Sequence, residues 1–255
     1  MVGRLRIRTF LVAGGVLVGG LGLVGCGSAE VEGAPVEKKT FAFSGDSLVV
    51  DADNSELEIV PADIKDVRVQ RQVDGWVFMG SGPEPVWGLE DGRLTLRVKC
   101  EAVVSNCDSV HRIQVPRGVA VTVEDDNGQV TAEGFDTDLK IRSDNGAVVV
   151  RDSSGALDLT SNNGEVVVEG DTRSERVVAR SDNGAVRIAL SAVPGHVEAV
   201  SNNGEVDIAL PDATYDVDGR SDNGEVRIDV PTRKGSAHVV TAHSDNGEVV
   251  VRSAN

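Results

Sequence analysis

The sequence predicts an all-β protein, a single-stranded β-solenoid (β-helix) of about 18–23-residue coils with an N-terminal cap region. Three observations predict it. First, Asn-Gly recurs at Asn127-Gly128, Asn145-Gly146, Asn163-Gly164, Asn183-Gly184, Asn203-Gly204, Asn223-Gly224 and Asn246-Gly247, in steps of 18, 18, 20, 20, 20 and 23 residues. Second, apolar residues return six and four positions before each Asn and three and five after it, as in Leu139, Ile141, Val148 and Val150 around Asn145. Alternation with period two on both sides of a turn means two short strands with one buried face each. Third, charge is arranged as stacked coils require. From Asn145 to Asn203, coils with Asp before the Asn carry Ala after the Gly, and coils with Asn there carry Glu (Asp144/Ala147, Asn162/Glu165, Asp182/Ala185, Asn202/Glu205).

The rival architecture is an antiparallel β-hairpin meander, because Asn-Gly is also the strongest local signal for a type I′ hairpin turn, whose two central residues need positive φ. Charge placement favours the solenoid. In columns of residues about 4.8 Å apart, alternation keeps like charges about 9.6 Å apart, near the Debye length. The next column, Arg187, Asp207 and Arg227, then reads as an ion-pair ladder across successive coils.

In chain order, residues 1–25 carry Arg4, Arg6 and Arg8, no acid, and an apolar stretch from Phe10 to Val24 diluted by glycine. This is the pattern of a secretory signal peptide, too short and Gly-rich for a membrane span. It ends in Leu23-Val24-Gly25-Cys26, which resembles the lipobox of bacterial lipoproteins, in which the cysteine thiol takes a diacylglycerol and becomes the new N-terminus. That resemblance implies lipidation at Cys26 and a place on the extracytoplasmic face of the bacterial cell membrane. Cleavage removes three positive charges and takes the net charge from −16 to −19. Lipid, rather than an acidic protein surface, then makes the membrane contact. Residues 26–39 have no apolar periodicity and read as a flexible tether.

Residues 40–116 hold a degenerate copy of the repeat, with Leu48, Val50, Leu57 and Ile59 around Asn54-Ser55, and a cap region. The stretch from Trp76 to Trp87 mixes aromatics with Gly and Pro and reads as a long loop or lid that covers the open apolar end. With Cys26 assigned to lipid, Cys100 and Cys107 form an even pair in an exported, disulfide-permissive setting and are expected to be bridged. Residues 117–255 are the Asn-Gly solenoid.

The run His111-Arg112-Ile113-Gln114-Val115-Pro116-Arg117-Gly118, leading into serial Ser-Asp-Asn-Gly or Ser-Asn-Asn-Gly turns, resembles the bacterial putative-adhesin family of β-strand-repeat domains, over most of residues 40–255. The resemblance implies a β-helix on the outer face of the cell envelope and supplies no catalytic residues.

The remaining chemistry is sparse. A net charge of −16 argues against nucleic acid as a partner, since phosphate binders present basic faces. The sequence has no nucleophile elbow, metalloprotease helix, phosphate loop or dinucleotide fingerprint. His111, His196, His238 and His243 lack triad spacing. The Asn-Gly positions read as a turn ladder whose side chains hydrogen-bond their neighbours' backbones. The last two coils carry Asp222 with Glu225 and Asp245 with Glu248, so four stacked carboxylates make a candidate Ca²⁺ site, and no other cofactor is expected. The expectation is therefore a membrane-anchored surface lipoprotein acting as a non-enzymatic binding or adhesin-like scaffold for an envelope polymer or protein. The alternatives are a glycan-processing β-helix enzyme and self-assembly through the solenoid edge.

Overall fold

The structure is a computed structural model that describes residues 31–254; the signal segment and Cys26 lie outside them. A short 3₁₀ turn (Val31–Gly33) leads to β1 (Glu37–Phe41), and β2 (Ser47–Ala52) and β3 (Glu56–Ala62) form the coil around Asn54. Two long strands follow, β4 (Val67–Glu90) and β5 (Arg93–Pro116). Seven coils then repeat a strand, an Asn-Gly corner and a second strand. They are β6 (Ala120–Asp125) with β7 (Val130–Glu133), β8 (Leu139–Ser143) with β9 (Val148–Arg151), and β10 (Leu157–Ser161) with β11 (Val166–Glu169). Next come β12 (Arg176–Ser181) with β13 (Val186–Ala189), and β14 (His196–Ser201) with β15 (Val206–Leu210). The last two are β16 (Asp216–Ser221) with β17 (Val226–Asp229) and β18 (Val239–Ser244) with β19 (Val249–Ser253).

Coils stack parallel and in register, as the repeat predicts. Leu139 of β8 pairs with Leu157 of β10, Leu157 with Val177 of β12, and Val177 with Val197 of β14. The inward positions of both strands form one continuous core from Phe41 to Val251, and Ile141, Leu159, Val166, Val186 and Val206 have no solvent exposure. Burying each such side chain contributes about 1.5–3 kcal/mol, so every coil is held mainly by the coils above and below it. A meander is excluded, because the strand pairs formed by the coils are parallel.

The order of the coils differs from the order of the sequence at both ends. β14 pairs with β18, not β16, and β15 with β19; β16 and β17 pair with the far sides of β18 and β19. The last coil is thus inserted between the coils of Asn203 and Asn223. The first coil is inserted in the same way. β2 and β3 lie between β6/β7 on one side and β5 on the other, where Arg93–Leu96 pairs with β2 and Val110–Pro116 with β3. The Arg187, Asp207, Arg227 ladder is corrected accordingly. Val250 stands between Asp207 and Arg227, and Asp207 pairs instead with Arg252 at 3.0 Å.

The segment from Trp76 to Trp87 is not a loop but part of β4, which runs antiparallel to β5 as a long ribbon. Between its contacts with β2 and β3, this ribbon leaves the coil at the corner where the others place Asn-Gly. Its cap role falls to Trp87, half-buried against the core and 6.1 Å edge-on from Phe41, with the Arg71 guanidinium 3.8 Å from its ring centre. β1 covers β4, and β4 covers β5, so the N-terminal end of the parallel stack is closed by antiparallel strands.

Candidate interaction surface

The Asn-Gly corners form one edge of the solenoid, and their chemistry is self-satisfying. Asn145 Nδ2 donates to Asn127 Oδ1 at 3.0 Å, Asn163 to Asn145, Asn183 to Asn163 and Asn203 to Asn183 at 2.9 Å each. The ladder begins at Asn54, which accepts from Asn127, and ends with Asn246 donating to Asn203 and Asn223 to Asn246. Serines two residues before the Asn add a second column: Ser161, Ser181, Ser201, Ser244 and Ser221 each donate Oγ–H to the glycine carbonyl of the preceding coil in space.

Gly128 alone of the corner glycines has a positive φ; along the rest of the stack glycine is required for closeness. None of the seven ladder asparagines from Asn127 to Asn246 has a positive φ, so the corners are not type I′ turns. A Cβ on Gly146 would overlap the carbonyl oxygen of Gly128, and one on Gly164 that of Gly146. The same holds along the stack, ending with Gly247 against Gly204 and Gly224 against Gly247.

Alternating charge along this edge has partners. Asn162 Nδ2 donates to Asp144 at 2.9 Å and Asn202 Nδ2 to Asp182 at 3.2 Å, so each amide in the Asp column bonds the carboxylate of the preceding coil as well as separating it from the next. Arg187 pairs with Glu165 and lies 3.8 Å from Glu205. The four C-terminal carboxylates stand on adjacent coils, but Arg227 lies 2.9 Å from Glu248 and 3.8 Å from Glu225, and His243 bonds Asp245 at 2.9 Å. Among the described residues no group of three or more His, Cys, Asp or Glu side chains is placed to hold a metal ion.

Departures from the repeat concentrate at the other end. Between the ribbon and the first two ladder positions lies a cleft of about 770 Å³, lined by Asn54, Ser55, Glu56, Cys107, Asp108, Ser109, Asn127 and Gln129. Ser55 and Ser109 hydroxyls meet at 2.6 Å, and Ser109 Oγ donates to Asn54 O, which ties the ribbon to the ladder. Cys100 and Cys107 are joined by a disulfide within β5. Beyond the cleft the ribbon exposes Trp76 (44%), Phe78 (59%) and Met79 (73%). Gln72 Nε2 donates to the carbonyls of Val31 and Ala34, so the chain enters the fold beside the same ribbon.

Two carboxyls behind the cleft are perturbed. Burial, then Asp126, raises Asp53, with Arg97 opposing. Burial pushes Asp125 up to about 7, helped by Asp126, Asp53 and Asp144. Asp125 occupies the column that the coils from Asn145 onward give to serine and the Asn54 coil gives to Ala52, and neither carboxyl oxygen has a hydrogen-bond partner within the protein. Sequence reasoning passed over both the cleft and Asp125. The visible signal was the departure from Ser to Asp at 125, two residues before Asn127.

A family model described as Toastrack DUF4097 matches residues 38–253. Among solved structures, the chain is similar to the crystal structure of a putative adhesin from Bacteroides fragilis NCTC 9343, at 15% identity and a TM-score of 0.56, covering 86% of this chain and 97% of that one. It is also similar to putative adhesins from Parabacteroides merdae ATCC 43184 (12% identity, TM-score 0.49, 86% and 96% covered) and Parabacteroides distasonis ATCC 8503 (14%, 0.48, 86% and 98%). No curated protein matches.

Proposed function

The chain belongs to the Toastrack DUF4097 family, and from that premise we propose that it is a lipid-anchored, non-enzymatic surface protein of the bacterial envelope that binds an envelope polymer or protein. One observation carries the reading. The coil edge spends its polar side chains on its own ladder, while Glu56 and Asp108 line the cleft with Asn54 and Gln129, and the same ribbon exposes Trp76 and Phe78 beyond it. An aromatic platform beside amide and carboxylate groups suits a glycan or peptide chain, giving ring-face contact together with hydrogen bonds. The shared fold with a protein described as an adhesin supports the same direction. Lipidation at Cys26 would hold the body by its N-terminal end, where Val31 enters beside the ribbon.

The test is cosedimentation of the soluble body with purified envelope polymers, with and without Ca²⁺. Saturable binding lost in Trp76→Ala and Glu56→Gln supports the reading; binding that ignores both variants overturns the assignment to the cleft. A Cys26→Ser variant of the whole chain is expected to leave the membrane fraction, and its retention there would refute the lipid anchor. The enzymatic alternative draws no support from Asp125, the carboxyl with the largest rise, because it is buried at 4% exposure away from solvent.

A further inference from the structure

The N-terminal end of the stack is closed by β4 and β1, but the other end is bare. Among the described residues nothing pairs with the outer edges of β16 over Val217–Ser221 or of β17, and the inward-facing Val226 and Ile228 are each 38% exposed. An open parallel edge with apolar residues is a template for pairing. We propose that this terminal coil binds a second copy of itself, end to end, about a two-fold axis through Gly219 and Ile228.

Backbone direction restricts how two such edges can meet. Glu225 O accepts from Val249 N, so the N–H and C=O of Val226 and Ile228 point away from β19 to the free side, while those of Arg227 and Asp229 point inward. Antiparallel pairing of two β17 strands must then oppose the outward residues. Centring on Ile228 sets Arg227 opposite Asp229 of the second copy and packs isoleucine against isoleucine. Shifting by one residue either way from that centre sets Arg227 opposite Arg227, or Asp229 opposite Asp229.

The same argument applies independently to β16. Asp216 N and Asp222 N both donate toward β18, to His238 O and Ser244 O, so Val217, Gly219 and Ser221 present the free groups. Centring on Gly219 sets Asp218 opposite Arg220 of the second copy; the neighbouring registers oppose Asp218 to itself or Arg220 to itself. Each strand thus has a charge-complementary register at its middle; the others, centred on Ser221 and Val226, oppose Arg220 to Asp222 and Arg227 to Glu225 but pair only the terminal residue of each strand.

The two centres coincide in space. Gly219 and Ile228 face one another across the coil, since a Cβ on Gly219 would lie 3.2 Å from Ile228 Cδ1. One axis therefore satisfies both edges together, which isologous association demands. In the isolated chain Asp218 and Arg220 already form a two-pronged pair at 2.8 and 2.7 Å, exposed by 54% and 70%, and the dimer converts two such pairs into a four-membered network. At the corner, Tyr215 N donates to Pro231 O and Arg233 N to Tyr215 O, so Thr232 occupies the free side of Tyr215 and the pairing of the two β16 strands is confined to Val217–Ser221. End-to-end pairing leaves the two chain entries at Val31 on the order of 90 Å apart, at about 4.8 Å per coil. If the lipid anchor proposed above holds, the contact joins opposed surfaces; the dimer itself does not depend on that anchor.

The experiment is sedimentation velocity on the body from Gly27 to Asn255, which contains all the described strands and the core. The wild type is expected to show a concentration-dependent monomer–dimer equilibrium in the micromolar range, about −7 to −8 kcal/mol. Asp218→Arg and Arg220→Asp should each weaken association at least tenfold by opposing like charges, and an equimolar mixture of the two should restore it as a heterodimer. Monomers alone at about 0.5 mM wild type, well beyond that range, would overturn the proposal. So would wild-type dimers that persist in both single variants, or single variants that fail to rescue one another. Failure of Cys26→Ser to leave the membrane would refute the anchor and leave this result unaffected.

Discussion

Asn246 donates its side-chain amide to Asn203, 43 residues earlier, at 3.0 Å, and itself accepts from Asn223, which precedes it in sequence. The last coil of the chain is therefore the penultimate coil of the stack. The order of fraying follows from this. In a sequentially wound solenoid the C-terminal coil opens first, because it has one neighbour. Here β18 and β19 have two neighbours and β16 and β17 have one. Amide hydrogen exchange measured well below the self-association range should find Val239, Asp245 and Asn246, whose N–H groups donate inward to Gly195, Ser201 and Asn202, more protected than Asp222 and Asn223 of the terminal coil, by at least tenfold. Equal or reversed protection would contradict the inserted order.

The glycine column predicts a sharp position dependence. Gly184→Ala would drive a Cβ into the carbonyl of Gly164, and backbone in register cannot yield without disturbing the coils on both sides. The expected cost is about 2–4 kcal/mol, at the upper end for overpacking. Gly88→Ala on β4 meets nothing within 4 Å and should fall within about 0.5 kcal/mol of wild type. Urea denaturation midpoints of the two variants check the contrast.

A graded loss is expected along the asparagine ladder. Asn183 donates to Asn163 Oδ1 and Asn162 O and accepts from Asn203, whereas Asn223, at the end, donates to Asn246 and Asp245 and accepts from no ladder asparagine. Asn183→Ala should cost about 1–2 kcal/mol and Asn223→Ala about half of that. Asn183→Asp should be worse than Ala, because it sets a carboxylate against the Asn163 oxygen. Thermal melts of the three variants at one pH would reveal the ranking, and equal losses would show that the ladder contributes little.

The stack from Asn127 to Asn203 was legible because there the sequence neighbours are also the spatial neighbours. The ends were not, and the reason is physical. From Asn145 onward each coil presents the same Ser, Asn and Gly at its corner, so these coils can follow one another in any order without changing a contact type. The signs of permutation were faint: a step of 23 instead of 20 before Asn246, and Gly219 where other coils place Ala or a larger apolar residue inward. The ribbon was hidden differently. Gly80, Gly82, Pro83 and Pro85 read as loop formers, yet ladder bonds with β5 hold the segment extended. Cross-strand pairing over such a length outweighs local propensity.

Asp125 makes stability depend on pH in a direction opposite to most carboxylates. Burial lifts it from 3.8 to about 7, so the folded chain keeps a proton that the unfolded chain loses above about 4. Stability from this group is therefore highest at the acidic side, falls as pH rises from about 4 to 7, and is level above that. His111 acts the other way. Burial, then Arg71, holds it down to about 4, so the fold loses stability as pH drops from 6.5 toward 4. Comparing a variant with the wild type isolates Asp125 from this opposing slope. Asp125→Ser, which supplies the residue used at the same place in the next coil by Ser143, should stabilise the protein at pH 8. The ceiling is about 4 kcal/mol for a carboxyl raised from 3.8 to about 7, and about 1–2 kcal/mol is expected once structural relaxation is allowed. At pH 4 the gain should vanish, because the carboxyl is then protonated in the fold at little cost. Urea midpoints of both proteins at pH 4, 6 and 8 measure it. A constant difference across the three would mean that Asp125 stays ionised in the fold, contrary to its burial.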